Sequence, residues 1–227
     1  TLGYTESQGL PELREQIAAG YESVASSEVL VAAPEEAIFL AMNALLEPGD
    51  RVVCTYPGYQ SLYQVALSIG CEVVFWQPVE GDSWHFDPAE LTRLLTPRTK
   101  LVVRNFPHNP TGALRSPDDY ERMLSSVRKV GAWVFSDEMY RLLESTPEIR
   151  LSAAVDRYER SVTLSGMSKA YGLAGLRLGW VATHDEALLA TMMSLKDYST
   201  ICSPAPSELL ALMALRNPDP ILCAHRD

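Results

Sequence analysis

The chain has 227 residues, of which 47% are hydrophobic and 21% charged, with a formal net charge of −10. That length can bury a sizeable core and fits one domain, and the acidic balance argues against a surface for nucleic acid or anionic membrane. No apolar run approaches the length of a membrane span. Cys54, Cys71, Cys202 and Cys223 show no CxxC spacing and read as reduced thiols of a cytoplasmic protein, not as a disulfide frame or a zinc site.

In chain order, TLGYTESQGLPELREQI reads as a turn leading into a helix. VLVAA (29–33) is a strand, and Pro34 opens a helix whose first turn carries Glu35 and Glu36, suited to the positive end of the helix dipole. After the turn EPGD come a strand at 51–55, a helix stopped by Gly70, and a strand at 71–76. Asp87, Pro88 and Glu90 start a helix through Leu95. TKLVVRNF (99–106) is a strand, Ser116-Pro117 opens a helix, and AWVFSDE, RSVTLSG and LRLGWVAT supply three more strands. Strands alternating with helices at this spacing predict an α/β fold with a mostly parallel sheet flanked by helices. There is no internal repeat and no convincing linker within 1–200.

In such sheets, ligands bind beyond the carboxyl ends of the strands. Polar residues cluster after three of the predicted strands. Asn109 follows 99–106 in the turn PHNPTG, Asp137 follows AWVFS with Tyr140 three residues on, and Lys169 follows RSVTL. With Arg177 they bring together an amine, a carboxylate, an amide, a phenol and a guanidinium. A lysine amine forms a Schiff base with an aldehyde, and a carboxylate keeps a pyridine nitrogen protonated so that the ring draws electrons. An amide donor and a phenol suit a ring phenolate oxygen, and an arginine beside serine hydroxyls suits a phosphate. The ligand this set describes is pyridoxal 5'-phosphate. Taken singly, each residue has a plainer role. A lone lysine is usually a surface charge, Asn-Pro favours a turn, Asp137 can cap the segment after it, and His108 reads as a packing residue.

With NFPHNPTG (105–112), SDEMY (136–140) and SGMSKAYGLAGLRLG (165–179), the sequence resembles the large, cofactor-binding domain of the fold-type-I, class I/II aminotransferases over nearly its whole length. The resemblance implies a catalytic set of Lys169, Asp137 and Tyr140. Lys169 would form the Schiff base and carry the substrate proton. Asp137 would pair with the ring nitrogen, and Asn109 and Tyr140 with the phenolate oxygen. Arg177 and Ser168 would hold the phosphate, with Ser165 a further hydroxyl. Tyr59 would stack on the ring, and Tyr4 would reach the phosphate of a partner subunit in a homodimer. One segment departs from the pattern. Where the family often has a Gly- or Ser-rich turn, this chain has Ala33-Pro34-Glu35-Glu36. Proline has no N–H to give, so the amides of Glu35 and Glu36 remain as phosphate donors, their side chains being expected to point away.

The implied activity is transamination between an amino acid and a 2-oxo acid. A lyase or synthase working by β-elimination or cyclisation is the alternative on the same fold, and a non-catalytic cofactor-binding fragment or a regulator's sensing domain lies in another class. Residues 1–200 are expected to form the cofactor-binding large domain. Residues 201–227 would begin the connection to a C-terminal small domain outside this chain, which reads as a piece of a longer protein.

Overall fold

The computed structural model describes residues 2–79 and 84–226. Its centre is a seven-stranded sheet made of β1 (Val29–Ala32), β2 (Arg51–Thr55), β3 (Glu72–Trp76), β4 (Thr99–Asn105), β5 (Trp133–Asp137), β6 (Ser161–Gly166) and β7 (Gly179–Ala182), in the order β1-β7-β6-β5-β4-β2-β3. Every pairing among β3, β2, β4, β5 and β6 is parallel, whereas β7 runs antiparallel to both of its neighbours. The mostly parallel sheet expected from the strand spacing is therefore present, with one strand reversed.

Eight helices complete the fold: α1 (Pro11–Ala18), α2 (Pro34–Leu45), α3 (Ser61–Ile69), α4 (Pro88–Leu94), α5 (Pro117–Val130), α6 (Glu186–Lys196), α7 (Ala205–Arg216) and α8 (Asp219–Arg226) among the described residues. Their ends follow local chemistry. Ser116 Oγ accepts from Asp119 N–H at 3.1 Å ahead of α5, and Asp87 accepts from Ala89 N–H at 2.8 Å ahead of α4. Gly70 stops α3 at φ +98°, a conformation that costs an L side chain and not a glycine.

Period-two alternation in the strands feeds two cores. Leu101, Val103, Phe135, Leu164 and Val181 face α2, α3 and α6, and α2 contributes Ile38, Leu40, Met42 and Leu45 to that layer. Fully burying a side chain of this kind contributes about 1.5–3 kcal/mol. On the other face, Val102 and Val134 pack under α4 and α5, while Val29, Val31 and Trp180 pack under α1 and α7. Residues 201–216 thus lead into a helix that lies on α1 and closes this core.

The reversal of β7 positions the site. An antiparallel return needs no crossover helix, so residues 167–178 bend back from β6 at its carboxyl end. Lys169 leaves that end and Arg177 re-enters beside it. A parallel β7 would have put Arg177 at the opposite edge of the sheet. The predicted strand starting at Leu176 in fact begins at Gly179, because Arg177 sits at φ +52° after a 3₁₀ turn over Ala174–Leu176. Backbones meet closely here. A Cβ on Gly166 would lie 2.8 Å from Gly179 Cα, and one on Gly179 would lie 2.6 Å from the Ser165 carbonyl oxygen and 2.9 Å from Pro34 Cγ. No helix among the described residues is long and apolar enough to cross a membrane.

Candidate active site

A cleft of about 700 Å³, open to solvent, lies at the carboxyl ends of β4, β5 and β6 on the face covered by α2. Glu35, Tyr59, Asn109, Asp137, Tyr140, Ser168, Lys169 and Arg177, all predicted from the sequence, line it together. The strand pattern explains the convergence. Asp137 is the last residue of β5 and shares a face with Phe135, while Lys169 and Ser168 follow β6 directly.

Asp137 is the electrostatic centre. Its side chain is buried, and Oδ1 accepts from Met139 N–H at 3.0 Å. Burial pushes its carboxyl from the ordinary 3.8 up to about 7; the Met139 N–H opposes this, Glu138 and Glu35 add to it, and Lys169 opposes it. Among the described residues Asp137 has no ion-pair partner within contact distance. A buried carboxylate without a counter-cation fits a ligand that brings a protonated nitrogen. Lys169 is exposed, with Nζ 5.7 Å from the centre of the Tyr140 ring. Behind the sheet, Glu138 is buried on the opposite face, where it accepts from Ser136 Oγ at 2.7 Å, Ala154 N–H at 2.9 Å and Arg104 Nη2 at 3.2 Å. Ser136, Asp137 and Glu138 thus alternate across β5, and only Asp137 faces the cleft.

The opposite end of the cleft fits an anion. The first intrahelical bond of α2 runs from Ala37 N–H to the Ala33 carbonyl at 2.9 Å, so the amides of Glu35 and Glu36 are left for other partners. Arg177 is exposed, and its Nη1 donates to the Ala174 carbonyl at 3.1 Å. Its remaining donors, with Ser168 nearby on the cleft wall, suit a phosphate. The residues present therefore fit both ends of pyridoxal phosphate.

Three predicted residues lie elsewhere. Ser165 is out of the cleft, because Leu164 takes the cleft side of β6. Ser165 faces a separate crevice with Tyr21 and Trp180 and offers no hydroxyl to a phosphate held by Arg177. The side chain of Glu36 points away as expected, accepting from Ser199 Oγ at 2.5 Å and Thr200 Oγ1 at 2.7 Å. Glu35 does not follow it. Its carboxylate stays on the cleft wall and accepts from Ser61 Oγ. Tyr4 is 89% exposed and outside the cleft of its own chain. His108 is buried against Phe86 and Phe106, with Nδ1 2.7 Å from Thr111 Oγ1 and burial lowering it to about 4, in keeping with packing and not with a general base.

Asn105 was not singled out from the sequence, yet it lines the cleft in register with Asp137. Its Oδ1 accepts from Asn109 N–H at 2.8 Å and its Nδ2 donates to the Asp137 carbonyl at 3.1 Å, fixing the turn that presents Asn109. The signal was available, since an asparagine ending an apolar strand four residues before Asn109 needs a partner. Ile38 and Leu164 supply apolar wall.

Similarity to known proteins agrees with this geometry. The family model for aminotransferase class I and II matches residues 1–221. The chain is 30% identical over 220 residues to an aspartate/prephenate aminotransferase of Thermus thermophilus, covering 94% of this chain and 57% of that protein. It is 31% identical to a valine–pyruvate aminotransferase of Mycobacterium tuberculosis, covering 94% and 56% respectively. Its fold superimposes on the crystal structure of a pyridoxal-phosphate-dependent aminotransferase from Streptococcus suis with a TM-score of 0.92 at 32% identity, covering 99% of this chain and 59% of that one. The chain therefore spans less than two thirds of the length of these relatives. With the fold-type-I sheet, the cleft at its strand ends and a family match along nearly its whole length, this chain belongs to the class I and II aminotransferases, whose cofactor is pyridoxal phosphate.

Proposed function

We propose that the protein of which this chain is the cofactor-binding part moves an amino group between an amino acid and a 2-oxo acid. The observation that carries this reading is the pairing, in one cleft, of an exposed Lys169 amine with the buried, cation-free Asp137 carboxylate. Pyridoxal phosphate, when bound, supplies the electron sink that stabilises negative charge at the substrate Cα. The chain's own residues do the rest. Lys169 would hold the cofactor through its Nζ and, with its amine free, would serve as the base for the proton at the substrate Cα. Asp137 would keep the ring nitrogen protonated. Tyr140 and Asn109 would bond the ring oxygen, Tyr59 would pack against the ring, and Arg177, Ser168 and the amides of Glu35 and Glu36 would hold the phosphate. Ile38 and Leu164 exclude water from that wall.

Residues 1–200 are assigned to the large domain and 201–227 to the start of the connection to a small domain. The shorter span of this chain relative to its matches supports that division. The reading places the protein in the cytoplasm as a homodimer, with exposed Tyr4 contributing to the partner subunit's phosphate site.

The test is a half-reaction. The purified protein is loaded with pyridoxal phosphate and mixed with single amino acids. Transamination yields the 2-oxo acid and pyridoxamine phosphate in equal amounts. Release of a 2-oxo acid with ammonia, the cofactor remaining in its aldehyde form, refutes it in favour of an eliminating lyase.

A further inference from the structure

Two glutamates stand in the first turn of α2, where a phosphate is proposed to sit, and their surroundings differ. Glu35 has the Ser61 hydroxyl and, among the described residues, no ion pair. Glu36 has a cation: its Oε2 lies 3.6 Å from Lys196 Nζ, while its Oε1 takes the Ser199 and Thr200 hydroxyls. Lys196 is fully buried at the end of α6 and donates to Thr200 Oγ1 at 2.7 Å. Neither Glu36 nor Lys196 lines the cleft. An ammonium removed from water needs a strong local reason, and packing alone would be served as well by a methionine.

We propose that Lys196 is a positioning residue for the phosphate end of the site, a role that rests on the cofactor reading above. Its charge cancels Glu36 and pins residues 199–200 to the start of α2. The amides there then act on an anion with only one uncompensated carboxylate, that of Glu35, beside them instead of two. The same ammonium also acts on Glu208, a buried carboxylate that accepts from Leu10 N–H at 3.0 Å and Thr5 Oγ1 at 3.3 Å. At an effective dielectric constant of about 20, one uncancelled charge within a turn or two of a phosphate changes its affinity by roughly ten- to thirtyfold, less as salt rises.

The experiment is a titration of the protein with pyridoxal phosphate, followed by absorbance, with inorganic phosphate as competitor. Lys196→Met is expected to weaken both ligands by about tenfold. The double variant Lys196→Met/Glu36→Gln, which keeps the Glu36 amide and removes its charge, is expected to recover binding to within a few-fold of the parent. A role for Lys196 through packing alone would not be rescued by deleting its partner's charge, and a role in fold stability alone would move unfolding without moving the affinity of the folded protein, so failure of the double variant to recover binding overturns the proposal. Undiminished binding by Lys196→Met does the same. Should Lys196→Met not fold, Glu36→Gln alone decides: with Lys196 then unopposed, phosphate must bind more tightly, and equal or weaker binding overturns the proposal. A parent protein that binds no pyridoxal phosphate brings down the cofactor reading itself, a result distinct from an unaffected Lys196→Met.

Discussion

Replacing Asp137 by asparagine should stabilise the cofactor-free protein and weaken its hold on the cofactor. In the folded chain the carboxyl is raised from 3.8 to about 7, first by burial. The folded state therefore holds a proton that the unfolded state has lost, and stability falls as pH rises through that window. At about 1.4 kcal/mol per pH unit, the full displacement corresponds to about 4 kcal/mol, of which about 2–3 kcal/mol falls between about pH 5 and pH 8. The asparagine side chain is isosteric with the aspartate it replaces, and its amide oxygen still accepts from Met139 N–H. Denaturant unfolding of both proteins without cofactor, across that range, should show the variant gaining on the parent as pH rises. Saturating pyridoxal phosphate should reverse the order at the alkaline end, since only the carboxylate gains a cation. A difference between the two proteins that stays flat with pH would refute the reasoning, because Asp137 would then be ionised in the fold without cost.

Lys169→Ala should abolish transamination while leaving weakened cofactor binding, and borohydride should then leave no adduct on the protein; turnover near the parent rate would exclude the assignment. Glu35→Gln removes the one carboxylate of α2 that stays on the cleft wall without an ion pair, and pyridoxal phosphate should bind roughly tenfold more tightly, measurable by the same titration. His108 is lowered from 6.5 to about 4 by burial. Its contribution is present above 6.5 and lost as pH falls through 4, so the parent should lose up to about 3 kcal/mol over that window relative to His108→Gln. Parallel unfolding curves for the two proteins would count against it.

Most of the architecture was legible because each strand and helix carries its own local signal. The strand at 51–55 and the helix opening at Pro117 fall where expected, since β-branched runs, prolines and caps act within a few residues. The direction of β7 was not legible. It depends on which strands it lies between, β1 and β6, and that is a property of the assembled sheet. The cleft residues were found through their places after strands, a rule blind to which face a side chain takes. Ser165 was misplaced for that reason, although the alternation Leu164–Ser165 carried the answer. Lys196 and Glu208 were overlooked because nothing local distinguishes a buried charge from a solvated one on an amphipathic helix.

The contact of Gly166, Gly179 and Pro34 has a wider consequence. Where the segment that delivers the amine meets β7 only main chain separates them, and between β7 and the helix that delivers the phosphate donors stands only the rigid ring of Pro34. Substitutions elsewhere in the core can swell or shrink a layer without altering that spacing. The reach from amine to anion therefore works as a fixed gauge within the domain.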